Sequence, residues 1–264
     1  MVFQATIGGA AGAVPPSELG EAIPVPRADM SRLVREALAQ DRMRLAFQPI
    51  VTAAPRPQVL LHEAFIRILD ARGHVIPATG FVSAVEESPL GRELDCAALR
   101  LGFEALRRHP TLHLSLNMSA RSVGNPAWRA ILEEGASRVG DRLTLEIGEG
   151  SLSLLPDRVI RLIDEMKPKG LRFALDDFGA GAVGLRALKT FGFDHVKLDR
   201  QLVTGIDASG DHQVVAAALI AVAHQYGMTV TAVGVETEAE ATRLRRLGAD
   251  CLQGYLFGRP RARL

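Results

Sequence analysis

From Arg44 onward, short apolar runs rich in β-branched residues alternate with longer stretches in which apolar positions recur every three or four residues. The runs at 45–50, 59–69, 112–119, 143–147, 171–176, 195–198, 229–235 and 251–257 read as strands. The stretches at 81–87, 93–108, 128–134, 157–166, 183–190, 212–225 and 239–247 read as helices. The strand runs are close to continuously apolar, as expected of strands buried on both faces by helices. Local punctuation agrees: Pro156 suits a first helical position, Thr237 followed by Glu240 makes a capping box, and Gly170 and Gly248 fall where a helix ends in the left-handed region. About eight strand–helix units in roughly 230 residues predict a TIM-like (β/α)8 barrel rather than an open doubly wound sheet.

Composition narrows the picture without changing it. The chain has 264 residues, 47% hydrophobic and 23% charged, enough for one large core, and a formal charge of +1. A balanced charge predicts no broad attraction to nucleic acid or to an anionic membrane, so an anionic ligand has to be met locally. The two cysteines, Cys96 and Cys251, lie far apart with no CxxC pair, which argues against a disulfide framework or a zinc site and for a reducing cytoplasm. The longest apolar run, at 214–223, falls well short of the roughly 20 residues that cross a bilayer. Residues 1–29 are rich in Ala, Gly and Pro with no Lys or Arg before Arg27; they read as a flexible tail before one domain at 30–264. Neither GxGxxG nor a Walker loop is present.

In a barrel of this kind the chemistry sits where the strands end. Those ends carry oxygen: Glu63 interrupts an apolar strand, Asn117 and Glu146 close the next two, and Asp176 and Asp177 close a fourth. Each acidic residue alone could be a helix cap or a loop ion pair, Asp177 especially. Gathered in an apolar setting, with too few basic residues to match, they call for a cation, and hard ions such as Mg²⁺ or Mn²⁺ suit carboxylate and amide oxygens. The adjacent pair Asp176-Asp177 is the strongest signal, because one carboxylate can bridge two metals. Lys197, on a strand and one of only four lysines in a chain that otherwise uses Arg, is either a solvated lysine or a charge stabiliser beside a phosphate.

These motifs, in order, resemble the EAL-domain family of cyclic di-GMP phosphodiesterases over about 44–260. Glu63-Ala64-Phe65-Ile66-Arg67 is similar to the family's signature, with Phe65 in place of Leu. Leu116-Asn117-Met118-Ser119, Glu146-Ile147-Gly148-Glu149, Asp176-Asp177-Phe178-Gly179, Val196-Lys197-Leu198-Asp199-Arg200, Gly234-Val235-Glu236-Thr237 and Gln253-Gly254-Tyr255-Leu256-Phe257 follow. The resemblance implies that Glu63, Asn117, Glu146 and Asp176 ligate a first metal, and Asp176 and Asp177 a second. It implies that Lys197 and Gln253 lie near the attacking water, that Arg67 meets a phosphate and that Asp199 contacts or supports the nucleotide. Glu149 and Glu236 would steady the loop after the double aspartate. In the family, Mg²⁺ or Mn²⁺ supports in-line hydrolysis to linear pGpG, and Ca²⁺ is expected to bind without turnover.

One position departs. Ala232-Val233-Gly234-Val235-Glu236-Thr237 puts Val233 where the family has a glutamate that ligates the second metal. Valine offers no donor, so hydrolysis is expected to be weak or lost. In the same direction, Ala182-Val183-Gly184 replaces a more polar run after Asp177. Three functions follow as alternatives: a receptor that binds cyclic di-GMP without cutting it, a working phosphodiesterase, and an interaction module without nucleotide. A homodimer or a regulatory protein partner is expected by analogy alone.

Overall fold

The protein is described by a computed structural model that covers residues 27–152, 154–180 and 185–264. Helix α1 (Arg27–Ala39) leads into β1 (Met43–Thr52), β2 (Val59–Leu69) and the short β3 (Val75–Pro77), followed by α2 (Val82–Val85) and α3 (Pro89–Arg108). Then come β4 (Leu114–Asn117), α4 (Pro126–Val139), β5 (Leu143–Gly148), α5 (Glu149–Leu152), α6 (Pro156–Met166), β6 (Arg172–Phe178) and α7 (Leu185–Phe191). The chain continues through β7 (His195–Leu198), α8 (Arg200–Val203), α9 (Gly210–Gln225), β8 (Thr229–Val233), α10 (Glu238–Leu247) and β9 (Cys251–Gln253).

The nine-stranded sheet closes on itself through β1–β2 pairing, leaving β3 outside a ring of eight. This is the expected barrel, with one exception to its grammar. Strands β2 and β4–β9 pair parallel around the ring, whereas β1 is antiparallel to both neighbours. The cause is local: residues 53–58 are too few for a crossover helix, so β1 and β2 form a hairpin, which reverses direction.

Helix boundaries follow the sequence signals. Pro156 opens α6, the Thr237–Glu240 capping box is formed in full, and Gly170 and Gly248 take φ of 94° and 95°. Three strands end sooner than their apolar runs. Strand β8 stops at Val233 because Gly234 takes a φ of 84°, β9 stops at Gln253, and β4 stops at Asn117 shortly before a 3₁₀ helix over Ala120–Gly124. The boundary expected at residue 30 falls inside α1, whose Met30, Val34 and Ala37 are buried at i, i+4, i+7 spacing against Ile68, Phe81, Val85 and Leu94. Residues 1–26 and the altered run 182–184 lie outside the described residues.

Leu114, Leu116, Leu143, Leu145, Phe173 and Val196 belong to the main core. Their alternate neighbours on each strand point down the barrel axis, and those axial positions carry the polar side chains. Both cysteines are buried and free, and among the described residues no helix is long and apolar enough to cross a membrane.

Strand β9 is held against the turn after β8 by Val235 N–H donating to the Gln253 carbonyl at 3.0 Å. A Cβ at Gly254 would collide with the Val235 backbone, which cannot swing aside as a flexible side chain can. Gly254→Ala is therefore expected to lower stability by about 3 kcal/mol, read from urea unfolding midpoints at unchanged slope.

Candidate active site

The expected strand-end residues meet at one mouth of the barrel, and Lys197 stands among them. Its ammonium is 2.7 Å from Glu63 Oε2, 2.6 Å from Glu146 Oε2 and 3.5 Å from Asp176 Oδ1. Asn117 Nδ2 donates to Glu63 Oε1 at 2.6 Å, so β2, β4, β5, β6 and β7 converge within hydrogen-bonding reach. Glu63, Glu146 and Lys197 are only 3%, 1% and 3% exposed, which makes each charge costly unless paired.

The carboxylates therefore have a closer basic partner than the scarcity of basic residues in the sequence suggests. Lys197 neutralises part of their charge, and among the described residues no trio of His, Cys, Asp or Glu side chains forms a ready-made cation cage. One ammonium still faces Glu63, Glu146, Asp176 and Asp177. Burial opposes the charge on Lys197, but Glu146, Glu63 and Asp176 outweigh it and hold the ammonium well above its usual range. Burial also works against Glu63, yet Lys197, Gln253 and Asn117 keep it below the ordinary carboxylate range. Glu146 is driven well above that range by burial and by Glu63 beside it. Asp176 is raised by burial, with Lys197 only partly compensating. Asp177 takes a left-handed φ of 57°, which Asp tolerates better than most residues. Its carboxyl is raised by partial desolvation and by the nearby charges of Asp176 and Asp199.

Three buried or recessed residues had escaped the sequence reading. Ser115, on the same face of β4 as Asn117, donates its hydroxyl to Glu146. Gln48 on β1 donates to the Gly258 carbonyl at 2.9 Å and accepts from Gln253 at 3.2 Å. Asp95 on α3 accepts from Ser122 Oγ at 2.6 Å and from Ser119 N at 3.0 Å, and burial pushes its carboxyl up to about 6. Gln48 and Ser115 each interrupt an apolar strand, as Glu63 does, which is the signal that could have found them. Asp95 sits in an ordinary helical pattern and gives none.

The remaining candidates divide. Gln253 Nε2 donates to Glu63 Oε2 at 2.7 Å, which joins β9 to the cluster, and its Oε1 is buried with no partner. Arg67 is buried, donates to the Ile66 carbonyl at 3.0 Å and stands over the Phe65 ring at 5.5 Å. Glu149 Oε2 accepts from Gly179 N at 3.2 Å, in the turn after Asp177. Asp199 caps α8 by accepting from Gln201 N at 2.5 Å. Glu236 does not join the group: it is exposed at the rim and pairs with Arg200 at 2.7 Å. Val233 pairs in register with Gln253 and is half-buried beside the cluster.

The donor chemistry fits a hard divalent ion. Carboxylate and amide oxygens converge, burial and neighbouring acids raise the Glu146, Asp176 and Asp177 carboxyls, and the Gln253 Oε1 acceptor has no partner. Beside the cluster lies a hollow of about 670 Å³ whose lining includes Phe65, Val82, Leu94, Asp95, Asn117 and Asp177.

The chain belongs to the EAL domain family, whose profile matches residues 31–260. It is 31% identical over 240 residues to the cyclic di-GMP phosphodiesterase NbdA of Pseudomonas aeruginosa, covering 88% of this chain and 30% of that protein. It is 29% identical over 234 residues to the cyclic di-GMP phosphodiesterase PdeR of Escherichia coli, covering 86% of this chain and 35% of that one. The chain thus spans about a third of the length of these curated relatives. Among solved structures, the PaMucR phosphodiesterase in complex with c-di-GMP superposes with a TM-score of 0.77 at 26% identity, covering 88% of this chain and 97% of that one. The FimX EAL domain of Pseudomonas aeruginosa, bound to c-di-GMP, shares the fold with a TM-score of 0.79 at 22% identity, covering 89% and 97%.

Asp95 supplies a test of the electrostatics. Its folded-state pKa of about 6 lies above the ordinary 3.8, so the folded protein binds this proton more tightly than the unfolded chain. The resulting stability is complete below the ordinary value and is lost as pH rises through about 6. Asp95→Asn removes this titration, so the stability of the variant relative to the wild type should rise by about 1–3 kcal/mol between pH 4 and pH 7. Paired urea titrations at the two pH values read the difference.

Proposed function

We propose that this EAL domain binds cyclic di-GMP at the barrel mouth through a divalent-metal site, and hydrolyses it to linear pGpG weakly or not at all. The observation that carries the reading is the convergence of Glu63, Asn117, Glu146 and Asp176 around Lys197. Glu63, Asn117, Glu146 and Asp176 would hold a first ion, and Asp176 with Asp177 a second, with Mg²⁺ or Mn²⁺ as the ions suited to these oxygens. When bound, such ions would screen phosphate oxygens and acidify a water.

The chain's own groups supply the rest. Gln253 and Asn117 fix Glu63 from two sides, and Lys197 spans Glu63 and Glu146. Arg67, buried beside Glu63, offers a permanent positive charge to a phosphate. The adjoining hollow is large enough for a purine, with apolar walls for its faces and the Asp95 carboxylate as an acceptor for guanine N–H groups. Glu149 steadies the turn after Asp177 through Gly179. Asp199 supports the Lys197 strand end as a helix cap.

Val233 is the reason for expecting slow chemistry. It stands at the end of β8 opposite Gln253, where a carboxylate would complete the second-ion set, and it contributes no donor. Removing even a group that only supports a metal ligand costs roughly 10- to 100-fold, so this loss should cost at least as much. A working phosphodiesterase is the second reading, favoured by the otherwise complete oxygen set on β2, β4, β5 and β6. The first reading implies a cytoplasmic location and a regulatory protein or second copy that senses occupancy.

Calorimetry with cyclic di-GMP and Ca²⁺ should show saturable binding, and incubation with Mn²⁺ should release little pGpG. Ordinary enzymatic turnover would move the assignment to the second reading, and absence of binding would remove both. Val233→Glu should raise turnover at least about tenfold if the missing carboxylate is the defect.

A further inference from the structure

Lys197 does more than accompany the carboxylates. Its ammonium lies 2.7, 2.6 and 3.5 Å from Glu63, Glu146 and Asp176, the same three acidic residues that the proposed function gives to a first ion. The side chain is buried, as are Glu63 and Glu146, so solvent cannot screen their mutual repulsion. Asn117 and Gln253 supply neutral donors to Glu63, and Ser115 supplies one to Glu146, but none of these carries charge. Among the described residues the other cation buried close by is Arg67, which donates to the Ile66 carbonyl at 3.0 Å rather than to the cluster.

We propose that Lys197 is the site's resident cation. It neutralises the buried carboxylates while no divalent ion is present, which lets the barrel fold and hold its mouth in shape without metal, and a divalent ion that binds there does so against the lysine's competing positive charge. The inference rests on the proposed metal site, and it adds a penalty on metal affinity that is built into the chain. The same three carboxylates cannot give their full negative charge to an ion and to the ammonium together, so the lysine weakens metal binding in proportion to the stability it confers without metal.

The test uses Lys197→Met, which keeps the unbranched length and removes the charge, with Lys197→Arg as the charge-retaining comparison. In EDTA, Lys197→Met should melt about 5–15 °C below the wild type, and Lys197→Arg should lie between them. Titrated with Mn²⁺ alone and followed by calorimetry, Lys197→Met should bind at least about tenfold more tightly than the wild type, and Mn²⁺ should raise its melting temperature by more. If Lys197→Met does not fold in EDTA, recovery of a cooperative melt on adding Mn²⁺ supports the same conclusion, and failure to recover overturns it. Equal melting temperatures in EDTA, or equal or weaker Mn²⁺ binding by the variant, would also overturn it. Mn²⁺ binding to neither protein, with the melting difference intact, would refute the competition and the metal site while leaving the lysine's structural part.

Discussion

The cost of taking carboxylates out of water governs this barrel mouth. Glu63 and Glu146 reach the axis because strand alternation puts them opposite the leucines that pack against the helices, and once there they have little access to solvent. Every contact around them follows from that cost. Lys197 pairs with both, Asn117 and Gln253 donate to one, and Ser115 donates to the other. What is left uncompensated shows in Glu146 and Asp176, whose carboxyls burial, and then neighbouring acids, hold above their ordinary range. Residual negative charge of this kind suits a doubly charged ion, and the fold provides it by mounting acidic groups on neighbouring parallel strands with only one lysine between them.

The fold was largely legible from the chain. Near-continuous apolar runs in the strands and a period of three to four in the helices point to the barrel, and Pro156, Thr237, Gly170 and Gly248 mark boundaries that the structure keeps. What was missed has physical causes. The β1–β2 hairpin contains apolar strands like the others, so only its short connection betrayed the reversal. Helix α1 begins among prolines and alanines, and its buried stripe of Met30, Val34 and Ala37 is too sparse to stand out. The ends of β8 and β9 are set by backbone geometry at Gly234 and by the close approach at Gly254, which hydrophobic pattern does not register.

The site divides in the same way. Polar residues that break an apolar strand were visible as anomalies, and Glu63, Asn117, Glu146 and Asp176 come together as such anomalies should. Gln48 and Ser115 carried the same signal in a milder form, because amide and hydroxyl groups are common at strand positions for bland reasons. Asp95 was invisible, since a carboxylate in a helix is ordinary until the structure shows it turned against Ser119 and Ser122. Glu236, in a well-matched motif, stands apart from the cluster in an exposed pair with Arg200.

Strand β9 is three residues long, yet it completes the ring between β8 and β1 and carries Gln253, which grips Glu63 from across that junction. The stave that shuts the barrel is therefore also a strut of the charged centre. A pull on this short segment, from whichever side it came, would be felt at Glu63 through a single amide, so mechanical closure and ligand chemistry share one keystone.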